Sequence, residues 1–526
     1  MNKLWNRTGE ESHPESSPGR DSFEARSDER TRLLPNRIHS IPYLSPDDPA
    51  VSPYNLWTVW FVRWITIALA CITFAWWILT VVIIFITPPG LHVPGSPFFS
   101  FIYASFALLT LIISLLFFSA PSKLARVLSV VNAAVLLIDA ILILSVPGLR
   151  HAEIWVGIAS VLWAVLMALW FVTVDRTVQW GKAEEEERLT GRPESRRTVT
   201  EWLGVTLSTV LLAALTCVVV LMTLTLTLRA VDTGLAPPGE RYWVDNDRYQ
   251  IHVYCRGNKT NAAGDKTTTV LLEGGEDPVE RGLWQLAENA IKNGSIGRFC
   301  FADRPGMAWS DTAPSPFSAS IASDALSEAL RRAGEEGPWI LASAGIGSLY
   351  SRVFSSRHGD EVRGILMIDP FHEDLLSRVG SPGRGFSLWF RGVISPCGID
   401  RLLGALLRGR GAADRVWGRS SYQSGTTIFA KLQESLVAES LTKRDVISSR
   451  AIQNRETPMV LISSGKQMRK DRKWEEKQRD LSHLTANLMD WVVVDDAPHR
   501  IWDTLSGRDA IERGLKELVK ASKRKT

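Results

Sequence analysis

Five stretches of nearly unbroken apolar character divide the chain into unlike parts. They run approximately from Trp64 to Thr87, Phe98 to Phe118, Val127 to Val146, Ile154 to Val174 and Trp202 to Leu228. Each suffices for a helix to cross a hydrocarbon core, which takes about 20 apolar residues. Residues 1–55, rich in Ser, Pro, Glu and Arg, have no aliphatic runs and cannot bury enough surface to fold alone, so a disordered arm is predicted. After the last span the turn-rich TGLAPPG forms a linker. The pattern then changes to apolar runs of four to six residues, such as VLLEGG, RGILMIDP, PMVLISSG and WVVVDD, alternating with helical periodicity. That alternation predicts an α/β domain with a mostly parallel sheet covered on both faces. The expected division is 1–55 arm, 56–230 five-helix transmembrane region, 231–241 linker and 242–526 α/β domain.

Charge adds an orientation. Lys and Arg collect in the arm, in the second connection (Lys123, Arg126) and in the fourth (Arg176 to Arg197), whereas the first has none and the third only Arg150. By the positive-inside rule the basic segments are cytosolic, and five spans then deliver the C-terminal domain to a lumen or the cell exterior. The first span starts too far from Met1 for a cleaved signal peptide and reads as a signal anchor. Trp57, Trp60, Trp64, Trp155 and Trp202 sit near span ends, where amphipathic rings favour the interface. The expected partner is therefore a lipid bilayer. A net charge of +4 over 526 residues, with no basic face interleaved with aromatics, excludes nucleic acid.

Short signals agree with this topology. Asn258 and Asn293 open glycosylation acceptor triplets in the C-terminal domain. In the arm, Glu29 with Leu33 and Leu34 resembles the acidic dileucine signal that cytosolic sorting adaptors read, pointing to the endomembrane system and a vacuole or lysosome. Within the third span Asp139 and Asn132 lie seven apart on one helical face, and interhelical hydrogen bonding is their expected role.

The segment GPWILASAGIGSLYSRVF, residues 337–354, is similar to the strand, sharp turn and helix that carry the nucleophile of α/β-hydrolases. VLLEGG resembles that family's oxyanion loop, FADRPGMAWSD its D-R-P-G segment, DEVRGILMIDPFHEDL its following strand, and APHRIW the surroundings of its catalytic histidine. The resemblance covers nearly all of residues 240–526 and implies an α/β-hydrolase fold, with residues 372–457 as a helical lid insertion. It implies His499 as general base and the backbone amides of Gly275 and Ile346 as oxyanion donors. For the acid it implies Asp369, whose alternative role is to cap its strand. The nucleophile position itself falls on Gly345, which has no side chain. A shifted register would make Ser343 the nucleophile.

Glu273 and Glu276 depart from the pattern in the oxyanion loop, where a carboxylate would oppose developing negative charge. Cys255 and Cys300 match positions where secreted relatives carry cysteines; a disulfide and a pair of buried thiols both fit. Residues 466–480, KQMRKDRKWEEKQRD, read as a solvated helix face without chemistry. Neither a metal nor a cofactor is expected. The leading expectation is a degenerate hydrolase acting in binding or interaction, with a small-molecule, lipid or ester ligand in its pocket. The alternatives are an active esterase or lipase using Ser343 with His499 and Asp369, and a transporter or membrane scaffold.

Overall fold

The computed structural model describes residues 53–191, 198–260 and 264–524. Five helices long and apolar enough to cross a membrane come first: α1 (Trp57–Phe85), α2 (Pro97–Leu116), α3 (Lys123–Ser145), α4 (Pro147–Thr190) and α5 (Val199–Asp232). Within hydrocarbon, polar side chains on neighbouring helices bond to one another in place of water. Four tryptophans of this bundle do so: Trp76 donates to Ser160, Trp77 to Ser105, Trp163 to Thr73 and Trp170 to Thr66, at 2.9–3.1 Å. Asp139 is bound by the Tyr103 hydroxyl of α2 at 3.0 Å, while the amide of Asn132 is buried without a partner. Helix α4 continues 16 residues past the expected span end at Val174. Its extension is polar, so hydropathy could not reveal it; Lys182 pairs with Glu186 and with Glu201 of α5, and Gly191 caps the end in the left-handed conformation.

The second part is an α/β-hydrolase fold. Its eight strands are β1 (Glu240–Val244), β2 (Tyr249–Gly257), β3 (Thr269–Glu273), β4 (Arg298–Ala302), β5 (Trp339–Ala344), β6 (Val362–Ile368), β7 (Met459–Ser464) and β8 (Leu488–Val494). They form one sheet in the order β1-β2-β4-β3-β5-β6-β7-β8, antiparallel at β1–β2 and β2–β4 and parallel from there on. The central strands are buried on both faces, which is why they read as continuous apolar runs. Helices α6 (Leu283–Lys292), α7 (Ala319–Arg332) and α8 (Gly347–Arg357) connect β3 through β6. Between β6 and β7 lie α9 (Leu376–Val379), α10 (Pro382–Ile394), α11 (Ile399–Arg408), α12 (Ala412–Val416), α13 (Gly425–Val437) and α14 (Lys443–Ile452), the helical insertion. Helices α15 (Gly465–Lys470), α16 (Arg472–Leu481) and α17 (Leu505–Arg524) complete the chain.

The two parts are joined by far more than a linker. Thr312 donates its N–H to Pro94 at 2.8 Å and its hydroxyl lies within 2.8–3.2 Å of the Val93, Pro94 and Gly95 carbonyls, all in the first interhelical connection. Ser315 bonds the Phe85 carbonyl at the end of α1, and Asp311 meets His151 at the start of α4. The insertion is attached as well. Leu388, Ile428, Phe429 and Leu432 pack in one apolar cluster with Ile84, Phe98 and Phe101 of the first two helices. Asp232, at the end of α5, holds Arg401 at 2.7 Å and Arg415 at 2.5 Å, all three buried.

Removing one partner of a buried ion pair leaves uncompensated charge and costs about 3–5 kcal/mol. Asp232→Ala, which strands two guanidinium groups, is expected to destabilise the detergent-solubilised chain by that order, read as a lowered unfolding midpoint; an unchanged midpoint would show that the clamp contributes nothing.

Candidate functional site

Strand β5, WILASA, is buried throughout and ends at Ala344, leaving Gly345 at the head of a turn into α8. Gly345 has φ +45°, a conformation that costs other residues strain. The turn is tied down on both sides: the Gly345 N–H donates to Ile368, and its carbonyl accepts from the Ser348 hydroxyl at 2.7 Å and the Phe371 N–H at 2.9 Å. Gly347 is required by close approach, since an added Cβ would stand 2.1 Å from the Gly274 carbonyl oxygen. This is the backbone of a nucleophile elbow. Its apex carries hydrogen only.

Facing the apex, the structure brings Asp369 and His499 together. Asp369 follows β6 at φ +41°, held there by its N–H bond to Ile462 at 2.7 Å. One carboxyl oxygen accepts from the Ser464 N–H at 3.1 Å and the Trp474 indole at 3.0 Å; the other meets His499 Nδ1 at 2.5 Å. The Trp474 ring stands edge-on to the imidazole, with centroids 5.5 Å apart. With Nδ1 committed to Asp369, Nε2 is the nitrogen left to face the apex, as in a working triad. There it meets Glu276 Oε2 at 3.2 Å. A Cβ built on Gly345 would lie 2.7 Å from that same oxygen and 3.1 Å from Nε2. The Glu276 carboxylate therefore stands where a nucleophile's side chain would reach.

The charges lock this arrangement. Burial opposes a charge on His499, but its bonds to Asp369 and Glu276 outweigh burial and push its pKa up to about 10. Burial likewise opposes the Glu276 anion, and His499 with Lys431 pulls it down to about 2. Lys431, from α13 of the insertion, donates to the Glu276 carbonyl at 2.7 Å. An imidazolium has no lone pair at Nε2, and its N–H there is turned to the Glu276 carboxylate. Solvent still reaches both groups, since 30% of the His499 side chain and 42% of that of Glu276 are exposed.

The remaining expected site residues are placed as follows. Ser343 is fully buried in β5 and its hydroxyl has no hydrogen-bond partner, so the shifted register does not bring it to His499. A strand alternates faces, and Ser343 falls on the side of Leu341 and Trp339, within the core under α8. Gly275 packs against Ala344 and Ile346 precedes α8, so both border the apex. Glu273 turns under the elbow instead, to Arg304 at 3.4 Å, and that guanidinium also reaches Glu434 at 3.3 Å. Burial, partly offset by Arg304, pushes Glu273 up to about 7. The carboxylate at the apex is thus that of Glu276 and not of Glu273. Cys255 and Cys300 face each other across β2 and β4 and are joined by a disulfide. Asn258 and Asn293 are exposed, the latter donating to Glu512 at 2.9 Å. Glu29, Leu33 and Leu34 lie outside the described residues.

Trp474, Lys431 and the role of Glu276 escaped sequence reasoning. The segment around Trp474 was expected to be a solvated face without chemistry. Its one tryptophan among charged neighbours was the available signal, and it is buried against Asp369 and His499. Away from the apex, His252, Glu280 and Asp303 form a buried cluster of metal-ligand types. The imidazole is already committed at both nitrogens, Nδ1 to Asp303 at 2.8 Å and Nε2 to the Gly239 N–H at 3.2 Å. Burial pushes Asp303 up to about 7 and raises Glu280. The cluster therefore fits a proton-sharing tie between linker and sheet better than a metal centre.

Comparison with known proteins gives five findings. A family model described as a region of unknown function (DUF2417) matches residues 29–255. An uncharacterised protein of Schizosaccharomyces pombe is 32% identical over 528 residues, covering 94% of this chain and 97% of that protein. An uncharacterised vacuolar membrane protein of Saccharomyces cerevisiae is 26% identical over 385 residues, 62% of this chain and 59% of its own length. Among solved structures, a carboxylesterase of Nitrososphaera gargenis aligns with TM-score 0.40 at 13% identity, over 53% of this chain and 99% of its own. The enol-lactonase of Burkholderia xenovorans aligns with TM-score 0.35 at 13% identity, over 53% of this chain and 100% of its own.

The ion pair sets a pH window. His499 titrates near 10 in the folded chain against an ordinary 6.5, so its contribution is complete below about 6.5 and fades as pH rises toward 10. Glu276, lowered to about 2 from 4.5, contributes above about 4.5 and loses its share as pH falls toward 2. The unfolding midpoint is expected to be highest between about pH 4.5 and 6.5. Glu276→Gln should shrink the alkaline decline, and identical pH profiles for variant and wild type would show the pair to be inert.

Proposed function

This chain belongs to the family of the Schizosaccharomyces pombe protein, and on that footing we propose that it is an integral membrane protein of the vacuolar or wider endomembrane system whose α/β-hydrolase-like domain binds without hydrolysing. The observation that carries this reading is the Glu276 carboxylate beside the vacant apex at Gly345, paired with the nitrogen of His499 that would otherwise accept a proton. Loss of the nucleophile leaves at best the oxyanion and binding contributions to catalysis. Here the base is neutralised too. What persists is an assembled elbow, an Asp369–His499 pair and a solvent-reachable approach, the parts of a site that can hold a small molecule, a lipid or an ester. Such a ligand meets an anion and a cation side by side.

We place the arm, with its dileucine pattern at Leu33 and Leu34, in the cytosol, and the α/β domain in the lumen. The distribution of Lys and Arg supports this, as do the disulfide of Cys255 with Cys300, which suits an oxidising compartment, and the exposure of Asn258 and Asn293. The name of the yeast relative supports a vacuolar destination. The pH window of the His499–Glu276 pair suits an acidic lumen. The domain would extend over residues 242–526, following the linker 231–241.

Two experiments test the reading. A fluorophosphonate probe is expected to leave the wild-type chain unlabelled, whereas Gly345→Ser combined with Glu276→Ala, which clears the space and frees His499, should gain labelling at position 345. Labelling of wild-type Ser343 that disappears in Ser343→Ala would overturn the non-catalytic assignment. For topology, glycosidase treatment should shift the mobility of the chain from cells, with the shift lost in Asn258→Gln/Asn293→Gln; digestion of the α/β domain by protease outside sealed vacuoles would reverse the orientation.

A further inference from the structure

The insertion between β6 and β7 exposes apolar side chains in a pattern that the α/β domain does not use. On α10 they are Phe386, Phe390 and Ile394, spaced by four. On α11 they are Ile399, Leu403, Leu406 and Leu407, at positions 0, 4, 7 and 8 of that helix. Spacings of three and four put each set on a single helical face. Exposure is large where it counts, 64% for Phe386 and 78% and 77% for Leu406 and Leu407. The opposite faces are engaged: Leu388 and Gly392 of α10 and Arg401, Leu402 and Gly404 of α11 are buried. Two consecutive helices therefore each have one packed face and one bare apolar face. A contiguous bare surface of this kind marks an interaction site.

Its location decides the partner. A Cβ on Gly392 would stand 2.0 Å from the Phe98 ring, in the first turn of α2, and one on Gly398 would stand 2.1 Å from Thr225 Oγ1 of α5. Thr225 lies one turn before Arg229, the last basic residue of α5, so the corner between α10 and α11 reaches below the charged end of that helix. Residues of α5 on either side of this contact, Leu224 and Val231, are themselves exposed and apolar. The bare face is thus continuous with the belt of the five membrane helices. Charged residues flank it: Arg384 and Arg391 on α10, Asp400 at the start of α11 and Arg408 at its end, with the Arg391 guanidinium over the Tyr422 ring. Apolar residues on one side with mostly basic flanks are the composition of helices that lie in a membrane interface.

We propose that α10 and α11 form a wedge embedded in the leaflet on the domain side of the membrane, with Phe386, Phe390, Ile394, Leu403, Leu406 and Leu407 among the acyl chains. The insertion that covers a hydrolase site from solvent in this fold is then a membrane element here. Its anchor in the bilayer adds to the Asp232 clamp, and α13, packed on α10, carries Lys431 from that anchor to Glu276. This holds whether or not the site is catalytic.

The test is depth measurement on the full chain, with Cys71, Cys217 and Cys397 replaced by serine, in vesicles of phosphatidylcholine and phosphatidylglycerol. Nitroxide is attached singly at Phe390→Cys, Leu403→Cys, Leu406→Cys and Leu407→Cys, and at Lys473→Cys on α16 as a water-exposed reference. Because these side chains are exposed, the substitutions leave packing intact, and an unchanged melting midpoint verifies it. Collision with oxygen is expected to exceed collision with a water-soluble nickel chelate several-fold at the four insertion sites, with the order reversed at residue 473. Nickel accessibility equal to that of residue 473 would overturn the proposal. So would protection from both reagents with spin–spin broadening that grows with the protein-to-lipid ratio, the signature of a second copy on this face.

Discussion

The state of the whole site follows from one electrostatic arrangement, an imidazole held between two carboxylates. With Asp369 at Nδ1 and Glu276 at Nε2, His499 carries a proton throughout the neutral range, and that proton is the one a base would need to be without. Without it Glu276 would face the lone pair of Nε2, whereas Asp369 would keep its bond from Nδ1–H. Asp369 sits fully buried at a backbone conformation that only a surrounding network can hold, and Glu276 lies between the imidazolium and Lys431. A Cβ at 345 would stand 2.7 Å from the Glu276 carboxylate and 3.1 Å from Nε2, so the bare apex and the Glu276–His499 contact share one space.

A second constraint governs how the site is mounted. The α/β domain hangs on the membrane bundle through the Thr312 and Ser315 contacts, the Asp232 clamp and the apolar cluster shared by α10, α13, α1 and α2. A rigid seam of this kind couples α13, and with it Lys431, to the spans. Position at the apex is therefore set partly by helices that lie far from it in sequence.

Much of this was legible in the residues. Apolar runs of the right length located the five spans, and runs of four to six residues located the central strands, because burial on both faces leaves little choice of residue. The sharp turn after β5 was legible from Gly345 and Gly347, since close packing there admits only small groups. Asp369 remained open between capping and catalysis because both roles place a carboxylate after β6; the contact with His499 depends on a loop 130 residues away. Glu276 was visible as a departure, but the direction of its side chain depends on the loop after β3, which no local pattern encodes. The extension of α4 was hidden because polar helices carry no hydropathy signal. The insertion was expected as a helical lid, and its bare face appears only once the buried faces of α10 and α11 are known.

The contacts of Thr312 also impose an order in time. Its hydroxyl and N–H bind carbonyls some 217 to 219 residues earlier in the chain. At synthesis rates of about 5–20 residues per second, the first interhelical connection emerges about 10–40 s before its partner exists. During that interval α1 and α2 are joined by a loop whose carbonyls have only water to satisfy them. The contacts of that loop are completed only when the segment between β4 and α7 arrives to close them.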